Sequence, residues 1–207
     1  YVTGAHAEAN GVPNPDRWMF DLPDEDLLYP GDVLHYYFEA WDEVAGDFQN
    51  ATIPVDIAGF GDFSTELAYD TSFMVHALPT MLDASGDQPK ILFWNDFGNR
   101  GGEDEWYGAF ENLGFFPGEQ YDVFYTNAPS SSIGYFIGGR AQLGQLTRYD
   151  ILLYTSGDLT VTTISNQDFD NDPGDDVGVL NHWLEQGGKS MFATGDDLIS
   201  DMVINGG

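Results

Sequence analysis

The sequence predicts an α/β domain with a mainly parallel sheet, of the flavodoxin-like or Rossmann-like three-layer type, preceded by a small all-β sandwich. After residue 86, short apolar runs alternate with helical patterns four times, which is typical of a parallel sheet flanked by helices. Before it, aromatic-rich runs are separated by turns, as in a hairpin-based sandwich. A polar, turn-rich stretch at 79–89 separates the two parts, so we expect domains at 1–86 and 87–207.

The first domain is expected to consist of β-strands. The run 33–41 has no breaker and is rich in aromatic residues, which strands favour. Its even positions are apolar and would form the buried face. A turn containing Gly46 leads to a returning strand at 48–54, and 17–22 is an earlier strand. Because so few strands would leave an open edge, we expect further strands upstream.

In the second domain, the spacing of apolar residues alternates between the patterns of strands and helices. A short apolar run at 90–94 is followed by a glycine-rich loop and by a helix at 103–113, whose first turn carries acidic residues where the helix dipole favours them. The remaining strands are predicted at 121–126, 149–155 and 189–194, and the remaining helices at 141–147, at 176–186 and after 195–197. The chain ends where a fifth strand is due, so this domain is expected to be truncated.

The composition excludes several classes of function. The chain has 207 residues with 35 acidic and 6 basic side chains, and its formal charge is −29. So few cations cannot form the basic patch that binding to nucleic acid or to an anionic membrane surface requires. No apolar stretch is long enough to cross a bilayer. The absence of cysteine excludes disulfides and thiolate chemistry. A surface this acidic suits high salt, abundant divalent cations or the outside of a cell.

Acidic side chains follow three of the four predicted parallel strands. Ligands of open parallel sheets bind outside the carboxyl ends of the strands. If the side chains of Asp96, Asp158, Asp196 and Asp197 converge there, they would form a site for a divalent ion or a polyol. The alternative is that Asp158 and either Asp196 or Asp197 accept backbone N–H hydrogen bonds at turns and helix starts.

The densest acidic stretch lies at 168–176. Five carboxylates in this stretch repel one another unless they are solvated or bound to a hard cation such as calcium, which takes oxygen ligands from flexible loops. Pro173 and Val179 stand where an EF-hand loop needs glycine and glutamate, so an EF-hand is excluded. Two interpretations remain, a non-standard calcium loop and a solvated acidic turn that ends in a helix N-cap. The candidate calcium ligands are Asp168, Asp170, Asp172, Asp175 and Asp176.

Two common functional patterns are not favoured. The glycine loop 98–102 is not G-x-G-x-x-G, and its acidic neighbours would repel the phosphates of a nucleotide. Ser156 stands in Thr-Ser-Gly-Asp and not in the G-x-S-x-G of a hydrolase elbow, while His182 is expected on a helix surface. The sequence therefore favours neither a nucleotide site nor a serine–histidine enzyme.

Two segments resemble modules of large exported bacterial proteins. The segment from Leu28-Tyr29-Pro30-Gly31-Asp32 to Ala51-Thr52-Ile53-Pro54 resembles an immunoglobulin-like or fibronectin-type module. The stretch 149–159, with 180–189 and Thr194-Gly195-Asp196-Asp197, resembles glutamine-amidotransferase-like Rossmann modules. That family uses a cysteine nucleophile, which this chain lacks, so its activity is not implied. The resemblance implies a secreted or cell-surface protein of a bacterium from a marine or other salty habitat.

We therefore expect a non-catalytic extracellular module that binds calcium or a carbohydrate-like ligand, or that acts as a spacer beside other domains of a longer parent chain. The alternative is a hydrolase with a metal-assisted site built from Asp96, Asp158 and Asp196. The two differ in geometry, because the enzyme needs these carboxylates around one point.

Overall fold

The computed structural model describes most of the chain and divides it into two compact units, Tyr1–Ala77 and Leu78–Gly207. The described residues are 1–9, 12–22, 27–44, 46–60, 73–96, 98, 100–126, 137, 143–160, 163–164 and 176–200.

The first unit contains three antiparallel strand pairs, which do not join into a larger sheet within the described residues. The pairs are β1 (Ala5–Ala9) with β2 (Val12–Met19), β3 (Val33–His35) with β6 (Met74–His76), and β4 (Phe38–Val44) with β5 (Asp47–Ile53). No residue of this unit whose side chain the structure describes is buried. The β content is confirmed, while a packed sandwich stays a prediction.

The predicted strand 33–41 is divided in the structure. β3 ends at His35 and β4 begins at Phe38, because the two halves pair with different strands. Between them, the backbone N–H of Tyr36 donates to the Phe73 carbonyl at 3.0 Å, continuing the pairing toward β6. Periodicity alone shows an unbroken run, since it carries no information about the partner of each half.

The second unit is built on a four-stranded sheet in which every pair is parallel, which confirms the predicted parallel sheet. Its strands lie in the order β10-β9-β7-β8 and comprise β7 (Ile91–Asn95), β8 (Tyr121–Tyr125), β9 (Ile151–Thr155) and β10 (Ser190–Thr194). The chain runs from β7 to β8 on one side and then returns to β9 on the other side of β7. At such a reversal the loops at the carboxyl ends diverge and leave a crevice between neighbouring strands.

Three helices connect these strands within the described residues: α1 (Glu103–Asn112), α2 (Leu143–Leu146) and α3 (Val177–Glu185). All agree with the predicted helices to within a few residues at their ends. Three acidic side chains occupy the first turn of α1, where they interact favourably with the helix dipole. Gly187 and Gly188 follow α3 with φ values of 75° and 69°, a conformation that ends a helix and that side chains disfavour.

Apolar residues pack on both faces of the sheet. Alternate residues of β7 belong to different clusters, as the pleat of a strand requires. Leu92 and Trp94 pack in a cluster that contains Trp183 of α3. Phe93 packs in the other cluster, with Phe110 of α1. The core of the described chain therefore lies in the second unit, with α1 and α3 on opposite faces of the sheet.

The segment 78–86, which the sequence assigned to the first domain, makes hydrogen bonds within the second unit. The backbone N–H of Thr80 donates to the Asp122 carboxylate at 3.0 Å. The guanidinium of Arg148 donates to the Gly86 carbonyl at 2.9 Å. The turn-rich composition of this segment marks a loop, and these bonds attach the loop to the sheet that follows it.

Candidate ligand-binding cleft

A cleft of about 560 Å³ opens at the carboxyl ends of β9 and β10. It lies between the loops that follow these strands, the glycine loop after β7 and the first turns of α1. The polar and aromatic side chains that line it are Arg100, Glu105, Trp106, Thr155, Asp158, Thr194 and Asp196, and the glycines are Gly101, Gly102, Gly157 and Gly195.

Backbone hydrogen bonds connect the three loops around the cleft. The N–H of Asp158 donates to the Arg100 carbonyl at 2.9 Å, which joins the β9 loop to the glycine loop. The N–H of Asp196 donates to the Gly157 carbonyl at 2.9 Å, which joins the β10 loop to the β9 loop. The loops are therefore held in register, so the cleft is formed before any ligand enters.

Two glycines are required where these loops touch. Gly157 has a φ of 52°, and a Cβ there would lie 2.4 Å from the Arg100 carbonyl oxygen. A Cβ on Gly195 would lie 2.0 Å from the Oγ of the fully buried Ser156. Contacts this close leave room for glycine alone unless the neighbour moves.

Three polar residues lie side by side at the carboxyl ends of β7, β9 and β10. Asn95, Thr155 and Thr194 are register partners on β7, β9 and β10, so their side chains project from the same face as Phe93 and α1. The two threonines line the cleft, and Asn95 is 2 % exposed. The Asn95 amide lies beside the Tyr107 hydroxyl, yet its Nδ2 makes no hydrogen bond of good geometry within the described residues. The Asn95 amide is therefore buried beside Tyr107 and is not among the residues that line the cleft.

The charges at the cleft are mostly negative. Arg100 lies 3.5 Å from the Asp158 carboxylate, and the two side chains are 39 % and 62 % exposed. An ion pair this exposed contributes little to stability, about 0–1 kcal/mol. Glu105 and Asp196 have no ion-pair partner in the part of the chain that the structure describes.

The N–H groups of the glycine loop are already engaged. The carboxylate of Glu103 accepts the backbone N–H of Arg100 at 3.1 Å and that of Gly101 at 3.0 Å. In a phosphate-binding loop these donors would face the ligand. Here the Glu103 carboxylate occupies two of them.

Asp96 is buried and does not line the cleft. It is 1 % exposed, and its carboxylate accepts the Tyr154 hydroxyl at 2.7 Å and the Thr126 hydroxyl at 3.1 Å. Burial, followed by the Asp96 charge, raises the pKa of Tyr154 well above its usual value. Thr126 was expected from its position at the end of β8, whereas Tyr154, which lies on the same face of β9 as Leu152, was not predicted as a partner of Asp96.

The four aspartates that were predicted to converge after the strands therefore do not all share one site. Asp158 and Asp196 line the cleft, whereas Asp96 and Asp197 do not. The backbone N–H groups of Asp96, Asp158 and Asp196 donate to carbonyls, and these bonds fix the loops. Among the described residues, no three or more histidine, aspartate or glutamate side chains form a group that could hold a metal ion.

Of the predicted calcium ligands, only Asp176 falls within the described residues, and Asp168, Asp170, Asp172 and Asp175 lie outside them. Asp176 stands at the N-cap of α3, but its side chain makes no capping hydrogen bond. It is fully buried, and its charge contributes to the raised pKa of Tyr154. Asp176 is therefore a buried acidic residue whose charge reaches Tyr154.

Comparison with family models, with curated proteins and with solved structures found no significant match. Among the described helices, none has the length and apolar composition needed to cross a membrane.

Proposed function

We propose that this chain is a non-catalytic module of an extracellular bacterial protein and that it binds a polyhydroxylated, carbohydrate-like ligand in the cleft. The observation that carries the proposal is the mixed lining of the cleft. The Arg100 guanidinium donates hydrogen bonds, the carboxylates of Asp158 and Asp196 accept them, and Trp106 offers an aromatic surface. The Thr194 hydroxyl, which donates to the Tyr154 carbonyl at 3.3 Å, can accept as well. A polyol needs both kinds of hydrogen-bonding partner and an apolar contact.

The size and place of the cleft support this function. Small-molecule pockets usually enclose about 300–1,000 Å³, and this cleft encloses about 560 Å³. We also propose that the second unit has the flavodoxin-like three-layer arrangement, since its strands, numbered from β7, lie in the order 2-1-3-4. Ligands of that arrangement bind where the strand order reverses, between β7 and β9, and the loops that follow both of these strands line the cleft.

Isothermal titration calorimetry with a panel of monosaccharides and short oligosaccharides tests the function. We expect binding that Asp196→Asn and Thr194→Val weaken, because each removes a hydrogen-bonding group from the cleft. Glu185→Gln is the matched control, since Glu185 is an exposed carboxylate on α3, outside the cleft. Absence of binding to every saccharide, or equal weakening by the control, would refute the proposal.

We propose further that the stretch 168–176 binds calcium. Thermal melting in calcium chloride, compared with sodium chloride at equal ionic strength, tests this site separately from the cleft. A ligand that binds only the native state at about 100 times its dissociation constant stabilises it by about 2.7 kcal/mol. Calcium should therefore raise the melting temperature of the natural chain and not that of Asp170→Asn/Asp172→Asn. Equal melting temperatures in the two salts would eliminate the calcium site.

A further inference from the structure

We propose that the sheet face beside α1 binds an amphipathic helix of a partner protein, one with basic residues along the flanks of its apolar stripe. An apolar groove follows α1 on this face, from the cleft toward the amino ends of the strands. It is formed by Trp106, Ala109 and Leu113 along α1, Ile151 of β9 and Phe192 of β10. We call these five residues the α1 groove, and the proposal does not depend on the ligand of the cleft.

The two faces of β9 and β10 differ in how they are covered. A parallel sheet is normally covered by helices on both faces. Leu152 and Met191 meet this rule, because both pack in the cluster that contains residues of α3. On the opposite face, α1 is the one helix within the described residues, and Ile151 and Phe192 remain 37 % and 56 % exposed there. This half of the face therefore lacks the cover that a parallel sheet requires.

The exposed residues of the groove form one surface. The centroid of the Phe192 ring lies 6.1 Å from that of the Trp106 ring, so β10 and α1 meet there. Ala109 and Leu113 follow Trp106 by three and seven positions, which places them on the same side of the helix. Leu113, at the end of α1, is 67 % exposed. A contiguous apolar surface of this kind marks an interaction site, whereas single exposed apolar residues do not.

The spacing of the sheet fits a helix. α1 packs on Phe93 of β7, and β10 lies two strands away in the sheet order. At about 4.8 Å per strand this separation is about 10 Å, which is the distance between the axes of helices that pack side by side. A helix seated over β10 would therefore contact both the sheet and α1. The strand extends about 16 Å, which about eleven helical residues span.

The charge of the chain determines the flanks of that helix. α1 carries three acidic residues in its first turn and no basic residue in its last turn. The formal charge of −29 repels a second copy of the chain and attracts a cationic partner. The apolar stripe would supply most of the affinity, while the basic flanks would speed association and select the partner.

Fluorescence anisotropy on the full chain tests the site with two synthetic peptides of about 14 residues, made of leucine, alanine and lysine. In one peptide the leucines form a single helical stripe, and in the other the same residues are scrambled. We expect the striped peptide to bind roughly tenfold more tightly and to retain its binding in added salt. Leu113→Ser/Phe192→Ser should remove this preference. Leu184→Ser is the matched control, because Leu184 is exposed on α3, which packs on the other face of the sheet.

Equal binding of the two peptides would overturn the proposal, because charge alone would then hold them. Binding of neither peptide, or a preference that survives the double variant, would overturn it as well. Self-association in sedimentation velocity that the double variant abolishes would show that a second copy covers the groove instead. Saccharide binding that Asp196→Asn weakens and the double variant preserves would support two separate sites, so either proposal can fail without the other.

Discussion

Tyr154 and Asp96 form a buried hydrogen bond at the carboxyl end of the sheet. The carboxylate also accepts the Thr126 hydroxyl, so side chains at the ends of β7, β8 and β9 meet there. A buried carboxylate is costly unless it is hydrogen-bonded, and these two donors offset that cost. The pair therefore holds the carboxyl ends of the strands together.

The pKa of Tyr154, raised first by burial and then by Asp96, predicts a loss of stability in alkali. In the unfolded chain this tyrosine loses its proton near its ordinary pKa of 10.0, whereas the folded chain retains it. The unfolded state then binds fewer protons, so the free energy of unfolding falls as the pH rises above about 10. Burial, followed by the charge of Asp122, raises the pKa of Tyr149 as well and adds to this fall. Urea denaturation between pH 7 and 11 measures the slope.

Replacement of Tyr154 by phenylalanine should lower the free energy of unfolding at pH 7 by about 1–3 kcal/mol, because Asp96 loses a buried donor. It should also reduce the alkaline slope, since one raised pKa is removed. Tyr125→Phe is the control, because this ring is 43 % exposed at the end of β8. An equal loss of stability in both variants would show that the buried hydrogen bond is unimportant.

Gly157 lies where the loop after β9 touches the loop after β7, and this contact requires a glycine. Gly157→Ala places a Cβ 2.4 Å from the Arg100 carbonyl and should destabilise the fold by about 2–4 kcal/mol. Gly101→Ala is matched to it, since Gly101 also has a positive φ, 95°, but a Cβ there meets nothing within 4 Å. That variant should cost only about 1 kcal/mol. Chemical denaturation compares them, and a similar cost for the two would contradict the close contact.

At the scale of elements, α3 is anchored to the sheet by one side chain. Trp183 is 1 % exposed, and its indole N–H donates to the carbonyls of Leu146 and Tyr149 at 3.0 and 3.2 Å. These carbonyls lie at the end of α2 and before β9, so the tryptophan connects three successive elements. The spacing of Val177, Leu180 and Leu184 predicted the helix, but the structure buries Trp183 with Leu180 and leaves Leu184 exposed. The bonds of Trp183 depend on the tertiary arrangement.

Trp183→Phe should lower the free energy of unfolding by about 2–4 kcal/mol, since it leaves a cavity and removes the buried hydrogen bonds of the indole N–H. Leu184→Ala, at the neighbouring position and 40 % exposed, should cost less than about 1 kcal/mol. Thermal melting of both variants checks this difference. The anchoring role would be disproved by a smaller shift for Trp183→Phe than for Leu184→Ala.

At the scale of the whole molecule, the two units differ in their interiors. The buried apolar residues identified above all belong to the second unit, and the side chains that the structure describes in the first unit are exposed or half-buried. Trp18, Trp41 and Phe48 of the first unit are each more than half exposed, at 58 %, 62 % and 64 %. Two-stranded pairs without such a core are marginally stable at best.

Separate expression of the units tests this difference. The fragment 78–207 should unfold in one cooperative transition, because it contains both hydrophobic clusters. The fragment 1–77 should show no cooperative transition and should bind a dye for exposed apolar surface. Near-ultraviolet circular dichroism during heating distinguishes them, and a sharp transition in the fragment 1–77 would contradict the expectation.

The local sequence pattern was sufficient to predict the strands and helices of the second unit. The four strands and the helices α1, α2 and α3 all lie where apolar runs, helix periodicity and glycine stops predicted them. It was insufficient in the first unit, where the run 33–41 supplies strands to two different pairs. It also failed to distinguish Asp96 from Asp158, since each follows a strand and only burial separates them.

The sequence by itself determined the charge of the surface, the α/β order of the second unit and the end of the sheet at which polar residues gather. These follow from composition and from periods of two and 3.6 residues, which act over short distances along the chain. The tertiary structure decided which of those residues share the cleft. The strand order places Thr155 and Thr194 beside each other, while contacts with Tyr154 bury Asp96. Such neighbours are distant in sequence, and only the packed sheet brings them together.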